Sequence, residues 1–331
     1  MEHEIVNYCE LDRHASKAYS IIHGVPETLN LGDITKVDAD SLPKDIDLVT
    51  YGFPCQDISS AGLKRGFEHE GKATRSGLFF EALRIIEAVK PKYAIAENVK
   101  NLTSDSFRDE FRTVLESLSS VGWGYDVSWK VLNARDFGVP QNRERVFIVS
   151  RRKGEGGFFD YPEGFPLERR LKDVLEADVD DRYYLSDRFL DGHDISPALV
   201  TSPSKSDSPY IKVRQIGNVC PTSTRENPNQ GRVYDSNGLS PALNCMEGGN
   251  RQPFIVDEAG CRIRRLTPKE SFRLMGFEDA DVDALVANGI SDTQLYRIAG
   301  NSIVVDVLEA LFRSLFGLEG KREQSLLEGW G

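Results

Sequence analysis

The stretch that decides the fold is Ile46–Gln56, with the sequence IDLVTYGFPCQ, an apolar run that ends at a Pro-Cys pair. A short apolar run bounded by Gly and Pro is typical of a buried strand. Open α/β sheets carry their sites at the carboxyl ends of their strands, and Cys55 follows this strand directly. A thiol in that position is either a nucleophile or a buried structural cysteine, and the run alone leaves both interpretations open.

Outward from this strand, the first half of the chain alternates between strand and helix patterns, which predicts a doubly wound, mostly parallel sheet. Ser76 precedes one helical pattern and is expected to be its N-cap. Helical periodicity returns after Thr267, and the apolar face from Val304 to Phe316 is expected to pack back onto the first domain. The predicted strands are Ile5–Glu10, Ile46–Phe53, Tyr93–Glu97 and Val146–Ser150, and the early helices are Ala15–Ile22 and Ser76–Val89.

The composition is that of an ordinary globular protein. The chain has 331 residues, enough for about two domains, and 40% of them are hydrophobic. No apolar run reaches the length of a membrane helix, and the first residues lack a secretory signal pattern, so a cytoplasmic protein is expected. The five cysteines include no CxxC pair, which argues against a disulfide framework or a zinc finger, and no metal is expected. A net charge of -11 confines any anionic partner to a restricted face.

Two further segments carry candidate site residues. Glu97, in the sequence Glu-Asn-Val at the end of the next predicted strand, is either an acid of the site or a helix cap. Arg143 and Arg145 lie two residues apart in an extended segment, so both are expected to point the same way and could hold one anion. The alternative is a salt-bridged strand edge. The segment 130–153 carries 7 basic and 2 acidic residues, a local excess of positive charge.

Taken in order, these pieces resemble the motif set of the bacterial and phage DNA (cytosine-5) methyltransferases. The set is Phe-Pro-Cys-Gln at 53–56, Glu-Asn-Val at 97–99, Gln-x-Arg-x-Arg at 141–145, Arg-x-Leu-Thr-Pro-x-Glu at 264–270 and Gly-Asn-Ser at 300–302. The resemblance extends from about Glu10 to Leu315. It implies a Rossmann-like S-adenosylmethionine-dependent core with an inserted, smaller target-recognition domain.

The resemblance also implies roles for single residues. Cys55 would attack C6 of a cytosine flipped out of duplex DNA, and Glu97 would stabilise the adduct at N3. Arg143 and Arg145 would hold the cytosine carbonyl, the cysteine loop and nearby backbone. C5 would then take a methyl group from S-adenosylmethionine.

The remaining family positions fall into cofactor and DNA contacts. Glu10 matches the acid that binds the ribose hydroxyls, and Asp33 matches the acid at the adenine amino group, although either could be a simple helix cap. Asp57–Arg75 matches a mobile catalytic loop, with a plain surface loop as the alternative. Other expected cofactor contacts are Leu11, Ile34, Pro54, Leu78 and Asn301, and the expected DNA contacts are Gln56, Ser59, Lys64, Arg65, Arg75, Gln141, Arg232, Tyr234 and Arg251.

The expected domain order follows the same resemblance. Residues 1–165 form the first part of the catalytic domain, 166–265 the target-recognition domain, 266–320 the return to the catalytic domain and 321–331 a tail. Ala242-Leu243 stands where the family usually has Thr-Leu, which puts one backbone-positioning contact in doubt. Duplex DNA is the expected partner, in the cytoplasm of a bacterial or phage-infected cell, with no membrane contact and a monomeric chain.

One departure from the family concerns the cofactor. A Gly-rich turn normally precedes the ribose acid by about 20 residues, whereas Glu10 has nine residues in front of it. We therefore expect an N-terminal truncation and weak cofactor binding. Three hypotheses remain at this point: an active methyltransferase, an inactive DNA-binding remnant, and one subunit of a split enzyme whose other fragment supplies the Gly-rich unit. A tRNA-directed relative is disfavoured because the chain lacks a Cys-Phe-Thr sequence.

Overall fold

The computed structural model describes residues 3–53, 68–69, 72–73, 78–185, 196–197, 215–220, 228–246, 251–257 and 262–318. These residues form two compact units. The first unit contains the chain up to Leu132, Glu144–Glu163 and Leu311–Leu318, and the second contains Asn133–Arg143 and Gly164–Ala310.

The elements are numbered in chain order. The strands are β1 (Leu48–Gly52), β2 (Glu68–His69), β3 (Lys72–Ala73), β4 (Tyr93–Val99), β5 (Tyr125–Asn133), β6 (Gln141–Asn142), β7 (Glu144–Arg152), β8 (Ser196–Pro197), β9 (Gln215–Asn218), β10 (Arg232–Tyr234), β11 (Ser240–Pro241), β12 (Phe254–Asp257) and β13 (Arg262–Arg265). The α-helices are α1 (Arg13–His23), α2 (Phe79–Val89), α3 (Arg108–Ser120), α4 (Pro268–Arg273), α5 (Asp279–Ala287), α6 (Asp292–Asn301) and α7 (Val305–Leu315).

The main sheet of the first unit has the order β1-β4-β7-β5. β1 and β4 pair in parallel, with Gly52 opposite Glu97, so the two strands end side by side. β7 runs antiparallel to β4. The predicted Rossmann-like α/β class is confirmed, but the sheet is mixed where mostly parallel pairing was expected, because Glu144–Arg152 returns along β4 in the opposite direction.

Helices of the first unit follow local sequence signals. The Asp12 carboxylate accepts hydrogen bonds from the backbone N–H groups of His14 and Ala15 and so caps α1. Gly24 ends that helix at a φ of 62°, a left-handed conformation that glycine adopts without steric cost. α2 and α3 bury apolar side chains in a core shared with β4 and β7, which includes Phe79, Ile86, Val114, Leu118 and Ile148. Burial of such side chains is the main force that holds the helices on the sheet.

Two predicted boundaries differ from the structure. Ile5–Glu10 is not a strand, and its one β contact is an isolated parallel bridge between Tyr8 and Asn30. The ladder stops after two bonds, Tyr8 N–H to Leu29 O and Leu31 N–H to Tyr8 O. α2 begins at Phe79 with Leu78 as its N-cap, and Ser76, the predicted cap, lies outside the described residues.

The second unit holds a five-stranded sheet of order β13-β12-β10-β9-β8 and a short parallel pair of β6 with β11. A capping box starts α4: Thr267 Oγ1 accepts from Glu270 N–H at 3.1 Å, and the Glu270 carboxylate accepts from Thr267 N–H at 2.8 Å. Arg264 donates to both oxygens of the same carboxylate at 2.8 Å, and both side chains are buried. The Arg-x-Leu-Thr-Pro-x-Glu sequence therefore builds a closed structural unit.

The residues of the C-terminal helix α7 are divided between the two compact units, with the boundary after Ala310. As expected, its distal end belongs to the first unit, where the Phe316 ring lies 5.6 Å from that of Tyr93 and Ser314 Oγ donates to Asp160 O. The predicted return to the catalytic domain at 266 differs from this division, because residues up to Ala310 cluster with the second unit. The assignment of 166–265 to target recognition stays a prediction.

Candidate functional site

Glu97 lies near the carboxyl end of β4, directly across from Gly52 at the end of β1. The residues after Gly52 lead to Pro54 and Cys55, which lie outside the described residues. A methyl group built on Gly52 would lie 3.8 Å from Glu97 Oε2, so the carboxylate is beside the end of β1. The structure therefore places the predicted acid next to the end of the strand that precedes Cys55 in the sequence.

Arg145 holds the Glu97 carboxylate from the neighbouring strand. Its Nε lies 3.0 Å from Glu97 Oε1, and the two side chains are 19% and 15% exposed. The pair lies on one face of the sheet because Glu97 is opposite Phe147, and Arg145 is two residues from Phe147 on β7. Arg145 Nη1 also donates to the backbone oxygen of Glu144 at 2.9 Å. An ion pair with little solvent around it fixes the orientation of the carboxylate more firmly than an exposed pair does.

Asn98 ties the two strand ends together. Its buried side-chain amide donates from Nδ2 to the backbone oxygen of Phe53 at 3.2 Å, and its Oδ1 accepts from Val99 N–H at 2.8 Å. Phe53 is itself buried and is the last described residue before the Pro-Cys pair. Asn98 thus anchors the point from which the cysteine segment departs. The Glu-Asn-Val motif does not by itself indicate a role for Asn98; the only signal for it in the sequence is an amide side chain at a strand end.

Arg143 has a different environment from Arg145. Its guanidinium is buried and donates to the backbone oxygens of Leu243 at 2.7 Å, Gly300 at 3.0 Å and Ser302 at 3.0 Å. The prediction that Arg143 and Arg145 point together at one anion is wrong. Side-chain alternation holds within a continuous strand, and Arg143 lies between the end of β6 and the start of β7.

Gln141 is fully buried, and its contact with DNA stays a prediction. Its Nε2 donates to the backbone oxygen of Leu274, and its Oε1 accepts from Leu243 N–H at 3.2 Å. Both ends of the amide therefore hold backbone, as buried polar groups generally must.

Glu10 and Leu11 form the first part of the predicted cofactor site. Asn30 brackets the backbone of Glu10, since its Oδ1 accepts from Glu10 N–H at 2.9 Å and its Nδ2 donates to Glu10 O at 2.8 Å. Glu10 Oε1 accepts from Asp12 N–H at 2.7 Å. Leu11 is 77% exposed. A fixed carboxylate beside an exposed apolar side chain suits a ligand with hydroxyl groups and a flat apolar face.

Asp33 and Ile34 lie at the start of a short 3-10 helix. The Asp33 carboxylate accepts from Thr35 Oγ1 at 2.8 Å and from Thr35 N–H at 3.1 Å. The hydrogen bond from the Thr35 side chain, with that from its backbone, lowers the pKa of Asp33. Arg84 fixes the segment by donating to Ile34 O at 2.8 Å and to Val37 O at 2.9 Å. Asp33 does cap this helix, as the alternative interpretation held, and its carboxylate is still charged and anchored.

The other predicted cofactor contacts are only partly described. Leu78 is half-buried at the start of α2, and Asn301, in the second unit, is exposed with its Oδ1 2.8 Å from Cys245 Sγ. Pro54 lies outside the described residues.

Among the predicted DNA contacts, Tyr234 is buried, and burial raises its pKa. Its contact with DNA stays a prediction. Arg232 is half-buried, with its Nε donating to Pro228 O at 3.1 Å, and Arg251 is exposed. The remaining predicted DNA contacts lie outside the described residues: Gln56, Ser59, Lys64, Arg65 and Arg75.

A cavity of about 810 Å³ lies in the first unit at the other end of β4 from Glu97. Lys90, Trp123 and Arg152 line it, and both cations lie over the indole ring, 5.2 and 5.0 Å from its centroid. Arg152 also donates to Lys90 O at 2.9 Å and to Glu155 Oε1. The predicted acid therefore lies at the opposite end of the strand from this cavity. Within the described ranges, no helix is long and apolar enough to cross a membrane.

Comparison with known proteins gives a consistent family. The sequence pattern of the C-5 cytosine-specific DNA methylases matches residues 1–317. A type II methyltransferase, M2.ScrFI of Lactococcus lactis subsp. cremoris, is 39% identical over 87% of this chain and 71% of its own length. The orphan methyltransferase M.SPBetaI of Bacillus phage SPbeta is 30% identical over 95% of this chain and 92% of its own length.

Solved structures share the fold. A DNMT2 mutant from Spodoptera frugiperda superposes with a TM-score of 0.62 at 18% identity, covering 94% of this chain and 93% of that one. A prophage-encoded DNA modification methyltransferase from E. coli, described as putative, gives 0.58 at 19% identity over 95% and 92% of the two chains.

Proposed function

This chain belongs to the C-5 cytosine-specific DNA methylase family, and from that premise we propose that it methylates C5 of a cytosine flipped out of a specific site in duplex DNA. The observation that carries the proposal is the Glu97–Arg145 ion pair beside the strand end that leads to Cys55. A thiol nucleophile and an oriented acid are the two groups that activation of a pyrimidine requires.

The proposed chemistry begins with Cys55. Its thiolate forms a bond to C6, and the electron pair of the C5–C6 double bond moves into the ring toward N3. Glu97, in its protonated form, donates a proton to N3 and so stabilises the charge that develops there. C5 is then nucleophilic and takes the methyl group from S-adenosylmethionine, which leaves as S-adenosylhomocysteine. Loss of the C5 proton to a base re-forms the C5–C6 double bond and expels Cys55 as thiolate, and N3 returns its proton to Glu97.

Arg145 has a supporting role in this scheme. Its Nε holds Glu97 Oε1 at 3.0 Å, so the carboxyl group has one orientation on the sheet face. A fixed orientation lowers the cost of bringing the acid to the base during the reaction. Asn98 acts in the same way on the other partner, because its bond to Phe53 O fixes where the cysteine segment begins.

The residues of the first unit fit the methyl donor in part. S-adenosylmethionine supplies an electrophilic methyl group when bound. We propose that Glu10 holds its ribose hydroxyls, that the exposed Leu11 covers its adenine face, and that Asp33 meets the adenine amino group. The donor's fit rests on two anchored carboxylates and an exposed apolar side chain. Ile34, Leu78, Pro54 and Asn301 are the proposed remaining walls.

Duplex DNA is the proposed partner, and we propose that the chain acts as a monomer in the cytoplasm. Flipping a base costs a few kcal/mol of stacking and pairing, which the basic residues of 57–75 would offset by phosphate contacts.

Within the described strands, β1 hydrogen-bonds to β4 alone, so its other edge can accept a strand. Addition of a Gly-rich fragment in trans tests whether a second polypeptide completes the cofactor site.

The experiment is transfer of labelled methyl groups from S-adenosylmethionine to duplex DNA. The wild-type chain is expected to label DNA, Cys55→Ser to lose labelling, and Cys220→Ser to behave as wild type. A duplex with 5-fluorocytosine gives a second readout, because the C5–F bond prevents the final proton loss. A protein–DNA adduct should then persist in the wild type and be absent in Cys55→Ser. No labelling and no adduct, in a protein that binds both DNA and the donor, would refute the proposal.

A further inference from the structure

The Gly300-Asn301-Ser302 segment ends α6 and is held on both sides by Arg143. Arg143 Nη2 lies 3.0 Å from the backbone oxygens of Gly300 and of Ser302. These two carbonyls flank Asn301, so one buried cation fixes the backbone before and after this residue. A guanidinium with such partners has little freedom, because its donors form a rigid planar fork.

The same guanidinium also fixes a second segment, residues 243–246. Arg143 Nη1 donates to Leu243 O at 2.7 Å, and Gln141 Oε1 accepts from Leu243 N–H at 3.2 Å. Met246 adopts a φ of 46°, which is uncommon for a side chain other than glycine, and Asn244 Oδ1 accepts from its N–H at 2.8 Å. The segment is therefore held in one defined conformation.

The two segments touch at Gly300 and Asn301. A Cβ atom on Gly300 would lie 1.9 Å from Asn244 O, so only glycine permits this approach. One residue later, Cys245 Sγ lies 2.8 Å from Asn301 Oδ1, and the thiol can donate to that oxygen. The side-chain amide of Asn301 is thereby oriented by a residue 56 positions away.

We propose that Arg143 and Cys245 are positioning residues for Asn301, Arg143 through the backbone on both sides of it and Cys245 through its side chain. The inference rests on the proposed function, in which Asn301 is a wall of the methyl-donor site. It assigns Arg143 to donor binding, where the sequence predicted contact with the cytosine. It also makes donor affinity depend on residues 243–246, which the sequence assigns to target recognition.

The two roles of Arg143 predict different kinetics. A residue that contacts the base in the transition state lowers kcat when it is replaced, and leaves the dissociation constant of the donor unchanged. A residue that positions the donor site raises the donor's KM and dissociation constant, and leaves kcat at saturating donor unchanged. The ratio of the two effects therefore identifies the role.

The test uses Cys245→Ala, Cys245→Ser and Arg143→Lys, with Cys220→Ala as the matched control. Cys220 is a thiol of the same unit that packs against a separate cluster around Val219 and Phe254. Donor binding is measured by calorimetry, and kcat and KM by methyl transfer to duplex DNA. We expect Cys245→Ala to weaken donor binding about 2- to 10-fold, the range for one hydrogen bond, with kcat within about twofold. Cys245→Ser retains a donor and should recover most of the affinity, and Arg143→Lys should raise KM more than it lowers kcat.

Unchanged donor affinity in Cys245→Ala would overturn the role of Cys245, and an equal loss in Cys220→Ala would show that the effect is not specific. A lower kcat with unchanged donor affinity in Arg143→Lys would overturn the positioning role and support contact of Arg143 with the flipped cytosine. A wild-type protein that binds the donor and transfers no methyl group refutes the proposed function while the binding test of Cys245 still stands. A wild-type protein that binds no donor overturns the inference as well.

Discussion

Arg143 and Arg145 are two residues apart in sequence and differ in almost every physical respect. Arg143 is buried, its charge faces three backbone oxygens, and those oxygens belong to residues 100 to 159 positions away. Arg145 faces one carboxylate, that of Glu97 on the adjacent strand. The first arginine holds polypeptide segments together, and the second orients a chemical group. Residue type and spacing alone therefore do not determine the role of a motif arginine. The roles differ because Arg143 lies between β6 and β7, whereas Arg145 lies within β7.

The largest expected effect tests the chemical side of this comparison. Glu97→Gln removes the acid and keeps an oxygen for Arg145, so methyl transfer should fall about 100- to 10,000-fold, the usual contribution of a general acid. The melting temperature should change little, since the hydrogen bond to Arg145 is kept. Single-turnover methyl transfer on duplex DNA measures the rate. Activity within tenfold of wild type would show that Glu97 is not the acid.

Next in size is the loss of stability when the buried arginine is replaced. Arg143→Met removes the donors from three carbonyls and should cost about 2–4 kcal/mol of unfolding free energy, because each buried group left without a partner costs about 1–3 kcal/mol. Replacing both members of the largely buried Glu97–Arg145 pair, in Glu97→Met with Arg145→Met, leaves no charge unpaired and should cost about 1 kcal/mol or less. Urea unfolding of the two variants gives the comparison. Equal losses would contradict the distinction between the two arginines.

Two glycines provide a smaller test: Gly300, whose carbonyl accepts from Arg143, and Gly52, which lies beside Glu97, the partner of Arg145. Gly300→Ala forces a methyl group against Asn244 O and should cost about 1–3 kcal/mol, as overpacking generally does. Gly52→Ala places a methyl group at ordinary contact distance, 3.7 Å, from Glu97 O, and should change stability by about 0.5 kcal/mol or less. Thermal unfolding of both variants decides the matter. A stable Gly300→Ala would mean that the 243–246 segment moves aside easily.

The smallest effect is expected at the exposed ion pair next to the site. Lys100 Nζ lies 2.8 Å from Glu144 Oε1, and both side chains are about half exposed. Lys100→Met should therefore lose at most about 1 kcal/mol, and the loss should vanish near 1 M salt, where the Debye length is about 3 Å. Denaturant unfolding at two salt concentrations measures it. A larger loss of unfolding free energy that does not depend on salt would show that this ion pair, like Arg143, makes a structural contact.

Much of the first unit could be predicted from the sequence, because its signals are local. The apolar run before Cys55 is β1, the pattern around Tyr93 is β4, and the helical pattern Ala15–Ile22 lies within α1. The proximity of Glu97 to the end of β1 follows from parallel pairing of neighbouring strands. Ile5–Glu10 has the composition of a strand, but a strand also needs a continuous partner, and only Tyr8 makes such a contact.

The second unit was less predictable, because its polar residues are satisfied by distant backbone. Gln141 and Arg143 have side chains that usually lie at the surface, yet both are buried. Their partners lie on segments that no local pattern connects to them, such as Leu274 for Gln141, 133 residues away. Burial of a polar side chain is decided by tertiary contacts, which a single sequence does not display.

The bonds of Arg143 also set an order for assembly during synthesis. Its last two acceptors, Gly300 O and Ser302 O, are 157 and 159 residues downstream. A growing chain has made β1, β4 and β7 long before residue 302 leaves the ribosome, so those strands can pair while Arg143 is still hydrated. Contacts with such large sequence separation form slowly. The hydrogen bonds of Arg143 therefore form late in folding, after the Gly-Asn-Ser segment has been translated.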